Sequence, residues 1–175
     1  SKALRSIHSD EALEALLAST KQSDARVRRQ VVADVGGFYR DTAYAAARQT
    51  LEVEKNPEIV STAIRNLGGY AKSEVQETLL AYLNSASFRN VLADAAVDGM
   101  RSQDEPAYIT PLLENLSKRQ SDFTSRDFGQ VLGTLAYLAR NEDNKDLVCD
   151  FLMSYVNHKK RTLQVASITA RGTLG

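Results

Sequence analysis

Two histidines, His8 and His158, and one cysteine, Cys149, are the side chains here best suited to ligate a metal or act as base or nucleophile. Zinc hydrolysis needs His-Glu-x-x-His on one helical face, so that two imidazoles meet one ion and a carboxylate takes a proton from bound water. His8 and His158 stand 150 residues apart, and neither has a second histidine at ligand spacing. They read as exposed or capping histidines near helix ends. Cys149 sits among Leu147, Val148, Phe151 and Leu152 and reads as a buried thiol behaving as a small hydrophobe. Nothing resembles the strand-turn-helix elbow that exposes a catalytic serine. Gly36-Gly37 and Gly68-Gly69 follow apolar helical runs instead of preceding a helix, so they suit left-handed helix termini better than a phosphate cradle. No residue is therefore assigned a catalytic, cofactor-binding or metal-ligating role.

Charge points the same way. Among 175 residues, 22 basic side chains balance 22 acidic ones, which leaves no overall field to concentrate phosphates or to hold an anionic membrane. Short basic clusters occur at Arg26, Arg28, Arg29 and at Lys159, Lys160, Arg161, but tryptophan is missing and the other aromatics fall at helix ends or in apolar stripes. Both clusters read as solvated surface, and neither nucleic acid nor membrane is expected as a partner. No apolar run is long enough to span a bilayer, and Ser1-Lys2-Ala3 has no signal-peptide character. Asn115-Leu116-Ser117 matches a glycosylation acceptor but falls on an expected helix. A single cysteine leaves the compartment open.

The elements that must position any surface follow from apolar periodicity. Hydrophobic residues make up 43% and charged residues 25%, enough to build a core without staples. Spacing and caps predict ten helices, over 10–20, 24–37, 41–54, 57–70, 73–84, 88–101, 106–118, 125–139, 144–157 and 161–172. Asn56-Pro57-Glu58 reads as a helix start and Ser73-Glu74-Val75-Gln76 as a capping box. Pro111 is expected to kink its helix or to mark its start with Thr110 as cap. Val27, Val31, Val32, Val35 and Gly36 recur 32 residues later as Ile59, Ala63, Ile64, Leu67 and Gly68, then again 32 later as Val91, Ala95 and Ala96, with Gly99 and Met100 departing. A period of this length marks stacked supersecondary units, each covering the apolar face of its neighbour. Pairing the helices gives five two-helix units whose second helices are anchored by Val27, Ile59, Val91, Phe128 and Leu163, at steps of 32, 32, 37 and 35. The polar run Lys118 to Thr124 reads as a loop that absorbs the longest step. Small residues such as Gly129 and Gly133 are expected where helices pack closely.

Asp24-Ala25-Arg26-Val27-Arg28, the stripe behind it, and the ending Val35-Gly36 resemble the turn and second helix of HEAT repeats of the short bacterial type. Pro111 sits where that family often kinks a first helix. The likeness covers nearly the whole chain, with departures at Gly99 and Arg171, and implies an all-α α-α superhelix forming one HEAT-like solenoid over 1–175. Ser87-Phe88-Arg89-Asn90-Val91-Leu92-Ala93-Asp94-Ala95-Ala96 and Tyr155-Val156-Asn157-His158-Lys159-Lys160-Arg161 are also similar to the helical C-terminal region of bacterial M1-type zinc aminopeptidases. That second likeness implies a catalytic site upstream, since none of its zinc motif stands in this chain.

The leading expectation is a non-catalytic scaffold binding a protein partner or an upstream domain, through polar residues beside the second-helix stripes: Arg28, Arg29, Ser61, Thr62, Arg65 and Asn66. The alternative is the aminopeptidase helical domain, and a third reading is a helical DNA-binding module. The ends read as cut from a longer array, with exposed apolar flanks and either self-association or marginal stability at the ends expected.

Overall fold

The computed structural model describes residues 2–175. Its described residues form eleven α-helices and three short 3-10 turns, with no strand. Ten of the helices match the expected segments: α2 (Asp10–Ala18), α3 (Ala25–Val35), α4 (Asp41–Val53), α5 (Pro57–Leu67), α6 (Ser73–Leu83), α7 (Val91–Gln103), α8 (Ile109–Arg119), α9 (Ser125–Ala139), α10 (Asp146–Val156) and α11 (Arg161–Leu174). A short leading helix, α1 (Lys2–Ile7), is additional, because too few residues precede Asp10 to display a helical period.

The helices pair as the period requires. Hairpins α2–α3, α4–α5, α6–α7, α8–α9 and α10–α11 stand in chain order, and the second helices stack α3 on α5, α5 on α7, α7 on α9 and α9 on α11. The chain is thus an all-α helical-repeat stack. Its stripe positions are buried at every joint: Val31 and Val35, Ala63 and Leu67, Ala95 and Gly99, Leu132 and Ala136. One apolar cluster runs from Ala47 through Leu174, while the first unit closes around Leu13, Leu16, Val35 and Phe38.

The anchors behave unequally. Ile59, Phe128 and Leu163 are buried and Val91 half-buried, but Val27 is 45% exposed. Ile59 is covered by Val32 of the preceding unit, whereas only the six-residue α1 stands before Val27. The expectation for that anchor fails because burial at this position comes from the neighbouring unit and not from the hairpin itself.

Local chemistry explains most boundaries. The Asn56 side chain accepts the Glu58 N–H at 3.0 Å, and Pro57 occupies the first helical position, where an N–H would have no intrahelical partner. The capping box at Ser73 does not form. Lys72 is the N-cap of α6 without a side-chain hydrogen bond, and Ser73 Oγ, already inside the helix, donates to Glu74 at 3.3 Å. Pro111 produces no kink within α8 and does not make Thr110 the cap. It falls in the first turn of α8, after a 3-10 turn at Pro106–Tyr108, where its missing N–H costs nothing. The Lys118 to Thr124 stretch is more ordered than a loop: α8 continues to Arg119, Gln120–Asp122 make a 3-10 turn, and Phe123 is buried. Arg119 fixes this stretch by donating to the carbonyls of Leu83 and Ser85, 3.1 and 3.0 Å away, and to Asn90 Oδ1 at 3.2 Å.

The glycines act through close approach. Gly36 and Gly68 end their helices in right-handed conformation, φ −61° and −56°, not in the left-handed one expected. A Cβ at Gly68 would stand 2.5 Å from the Gly99 Cα of α7, and one at Gly36 would stand 2.1 Å from Asn66 Oδ1 of α5. Gly129 likewise faces Ala166 Cβ at 3.0 Å, whereas Gly133 has open space around it. The G68A variant should therefore lose about 2 kcal/mol or more by forcing α5 and α7 apart. G133A should gain about 0.5–1 kcal/mol from helix propensity alone. Urea denaturation of both variants checks this, and equal effects would contradict the close-approach account.

Candidate interaction surface

The polar residues beside the second-helix stripes mostly join one unit to the next. Arg28 of α3 pairs with Glu54 at the end of α4, 2.9 Å away, and also donates to the Gln22 and Ser23 carbonyls, each at 2.9 Å. Glu54 in turn accepts the Lys55 and Asn56 N–H groups at 3.0 Å each. The Arg28 hydrogen bond holds its carboxyl below the usual glutamate range. Arg65 of α5 reaches α7, meeting Asp94 at 2.9 Å and Asp98 at 2.6 Å. Burial, then the neighbouring Asp98 charge, pushes the Asp94 carboxyl up despite Arg65. Asn66 Nδ2 donates to the Val32 carbonyl of α3 at 2.8 Å, through the space left by Gly36. Ser61 and Thr62 are turned back on their own helix, donating to Glu58 O at 2.9 and 2.8 Å. Arg29 lies 3.5 Å from Glu58, both well exposed. Of the six residues expected to face a partner, five therefore have bonds that leave them little freedom to do so.

A second ladder runs along the turns at the ends of the second helices. The Tyr108 hydroxyl donates to Gln103 Oε1, Gln103 Nε2 donates to the Tyr70 carbonyl at 2.9 Å, and the Tyr70 hydroxyl donates to the Phe38 carbonyl at 3.0 Å. Burial pushes the Tyr108 phenol up to about 12. The ladder was not anticipated from the sequence. Its one signal is the aromatic residue that follows each glycine pair, Phe38 and Tyr70, spaced by 32.

The residues weighed for chemistry are scattered. His8 is exposed and lies tilted against Phe38, ring centroids 5.5 Å apart. His158, half-buried in the turn between α10 and α11, accepts the Lys160 N–H at 3.1 Å, but α11 itself starts without a side-chain cap. Cys149 is half-buried, not enclosed as expected, because it lies at the flank of the buried stripe Val148, Leu152 and Tyr155 and packs against the edge of the core. Among the described residues no three His, Cys, Asp or Glu side chains converge in a way that could hold a metal ion. No described helix is long and apolar enough to cross a membrane. Of the basic clusters, Arg26 pairs with Asp24 at 3.0 Å and Lys160 donates to Ser125 at 3.1 Å.

Among concavities of about 390 to 600 Å³ along the stack, one is lined mainly by apolar groups. Between the first two units lies a cleft of about 390 Å³, with Leu17, Val32, Ala46, Val53 and Ile59 along its walls and the Arg28–Glu54 pair among its lining groups. It exists because α2 has nine residues against thirteen in α4, so the end of α4 has no first-helix neighbour on that side. Its size and apolar lining, with a few fixed polar groups, suit an apolar side chain or a short helical stripe. Neither protein-family models nor curated proteins give any match to this chain.

The two carboxylates should give opposite pH signatures. Glu54, whose folded pKa is depressed, contributes stability above the ordinary carboxylate range that disappears as pH falls through the folded value, below about pH 4. Asp94, whose folded pKa is raised, contributes stability that is full at low pH and fades as pH rises through its folded value. In urea titrations across pH 3 to about 7, E54Q should remove the acid-side loss and D94N the fade on the higher side. Parallel curves for both variants and the parent chain would contradict these assignments.

Proposed function

We propose that this chain is a non-catalytic helical-repeat scaffold of HEAT-like type that binds a protein partner or another protein domain. The observation that carries the reading is the cleft at the first joint, about 390 Å³ and apolar along its walls, in a stack whose other polar groups are largely occupied in joining units. Solenoid stacks present extended surfaces by geometry, and a pocket at a joint supplies the anchor point that a flat surface lacks. Val53, 68% exposed at the cleft's edge, is the natural first contact for an incoming apolar group. Fixed polar neighbours, Thr50 and the Arg28–Glu54 pair, orient that group at little entropic cost.

A photo-activated crosslinking residue at Val53 is expected to capture one discrete partner or domain in the cells that make this protein. The variant A46F, which fills the cleft, should abolish that capture while circular dichroism and melting stay near the parent values. A single crosslinked species that survives A46F, or no specific species at all, would overturn the reading.

A further inference from the structure

The even balance of basic and acidic residues conceals a division in space. In a stack of hairpins the turns inside the hairpins lie along one edge, and the turns between hairpins lie along the other. Bonds across the joints place the first set side by side: Arg28 with Glu54, Arg119 with the Ser85 carbonyl, and Lys160 with Ser125. The Tyr70–Phe38, Gln103–Tyr70 and Arg140–Asp104 bonds do the same for the second set. In the turns inside the hairpins and the two residues after each, every carboxylate has a cation beside it: Asp24 has Arg26, Glu54 has Arg28, Glu58 has Arg29 and Asp122 has Arg119. Lys21, Lys55, Arg89 and Arg126 are left over, and so is the run Lys159, Lys160 and Arg161. All are exposed, and among the described residues none of them forms an ion pair. In the turns between hairpins, counted the same way, the excess is reversed, with Glu74, Glu105, Glu142, Asp143 and Asp146 unpaired against Lys145.

Each of the five hairpins contributes at least one of the unpaired cations to the basic edge. Packed helices stand about 8–10 Å apart, so the turns hold a row of positive charge at that interval. Glu52 and Asp127, just inside their helices, are the unpaired carboxylates closest in sequence to the row, and Thr124 Oγ1 already donates to Asp127 at 2.6 Å. The row also has apolar and concave points. Phe88, 80% exposed, lies beside Arg89 in the middle hairpin, and Val53 ends α4 one hairpin earlier, at the rim of the cleft that Lys21 also lines. Between the fourth and fifth hairpins is a concavity of about 480 Å³ whose lining includes Lys118, Lys160, Ser121 and Ser125 and holds no carboxylate.

We propose that this edge binds an extended acidic segment of a protein partner, which runs across the stack and sets one carboxylate against each hairpin. An extended polyproline II segment rises about 3.1 Å per residue with three residues per turn, so an acid at every third position recurs about every 9 Å. That interval matches the spacing of the hairpins. The residues between the acids meet Val53 and Phe88, and the last carboxylate has the concavity at Lys118 and Lys160 to enter. A nucleic acid strand fits this edge less well. It stacks successive bases on aromatic rings, whereas here Phe88 is exposed and Phe123 buried, and it has no apolar side chain to place in the cleft beside Lys21. The proposal names the chemistry of the partner in the scaffold reading above and rests on that reading, though not on the cleft.

The probe is a fluorescent peptide of about five Glu-Pro-Pro repeats, titrated with the whole chain and followed by anisotropy. It is expected to bind, more weakly as salt is raised, while a Lys-Pro-Pro peptide does not bind and a peptide with its glutamates contiguous binds less tightly. The double variant K55E/R126E should weaken binding at least about tenfold, with helicity and melting unchanged because both side chains are exposed. The same variant should reduce partner capture by the crosslinker at Val53. No binding of the Glu-Pro-Pro peptide, equal binding of the contiguous peptide, indifference to K55E/R126E, or tighter binding of duplex DNA or phosphatidylserine vesicles would each overturn the proposal. Capture at Val53 that survives K55E/R126E would overturn it too while the cleft reading stands, whereas a Val53 probe that captures nothing removes the cleft reading and leaves the peptide titration to decide this one.

Discussion

The distance of closest approach between successive second helices sets the rest of this structure. At the α5–α7 joint that distance is short enough for Gly68 and Gly99 to meet backbone to backbone. At the α3–α5 joint, the space that a Cβ at Gly36 would fill is instead taken by an asparagine, which satisfies a carbonyl at the end of the neighbouring helix. Dispersion falls steeply with separation, so the buried Ala63, Ala95, Ala96 and Leu67 become an effective core only because the backbones are this close. Residues too small to form a core in an isolated hairpin do so when shared between two.

Polar groups follow from the same closeness. Where the apolar stripe ends, carbonyls and charges of adjacent units come within reach of one another, and leaving them unmet would cost more than an ordinary hydrogen bond contributes. Arg28, Arg65, Asn66, Gln103, Tyr70 and Arg119 meet them, each bridging to a partner in a neighbouring helix or turn. The joints are thus apolar inside and polar along the edges, and surface polarity beside a stripe is a poor guide to where a partner binds. The available surface lies where this pattern is interrupted: beside the short α2, and along the edge where cations of the turns inside the hairpins stand unpaired.

The helical segments were readable from sequence because each carries its own period and several carry their own caps, as Asn56 does for α5. The stacking order was readable because equivalent positions recur at steps of 32 to 37 residues. Less legible were features owing their form to a contact across units. Val27 is an anchor by pattern yet exposed, because its cover would come from a preceding unit. Gly133 looks like a close-packing glycine yet faces open space, while Gly129 four residues earlier does pack closely. Arg65 and Asn66 read as partner-facing residues yet close joints. The cleft depends on the difference in length between two helices, and no residue within it announces a pocket.

The amino-acid sequence by itself determined that this chain is all-helical, where most helices begin and end, and that they repeat as hairpins in a row. Those properties depend on interactions among residues a few positions apart, which any reading of neighbours can recover. Tertiary structure alone decided which glycines mark a close approach, which polar side chains are occupied, and where apolar surface stays uncovered. Those outcomes depend on distances between residues some thirty positions apart, fixed only once one hairpin has settled against the next.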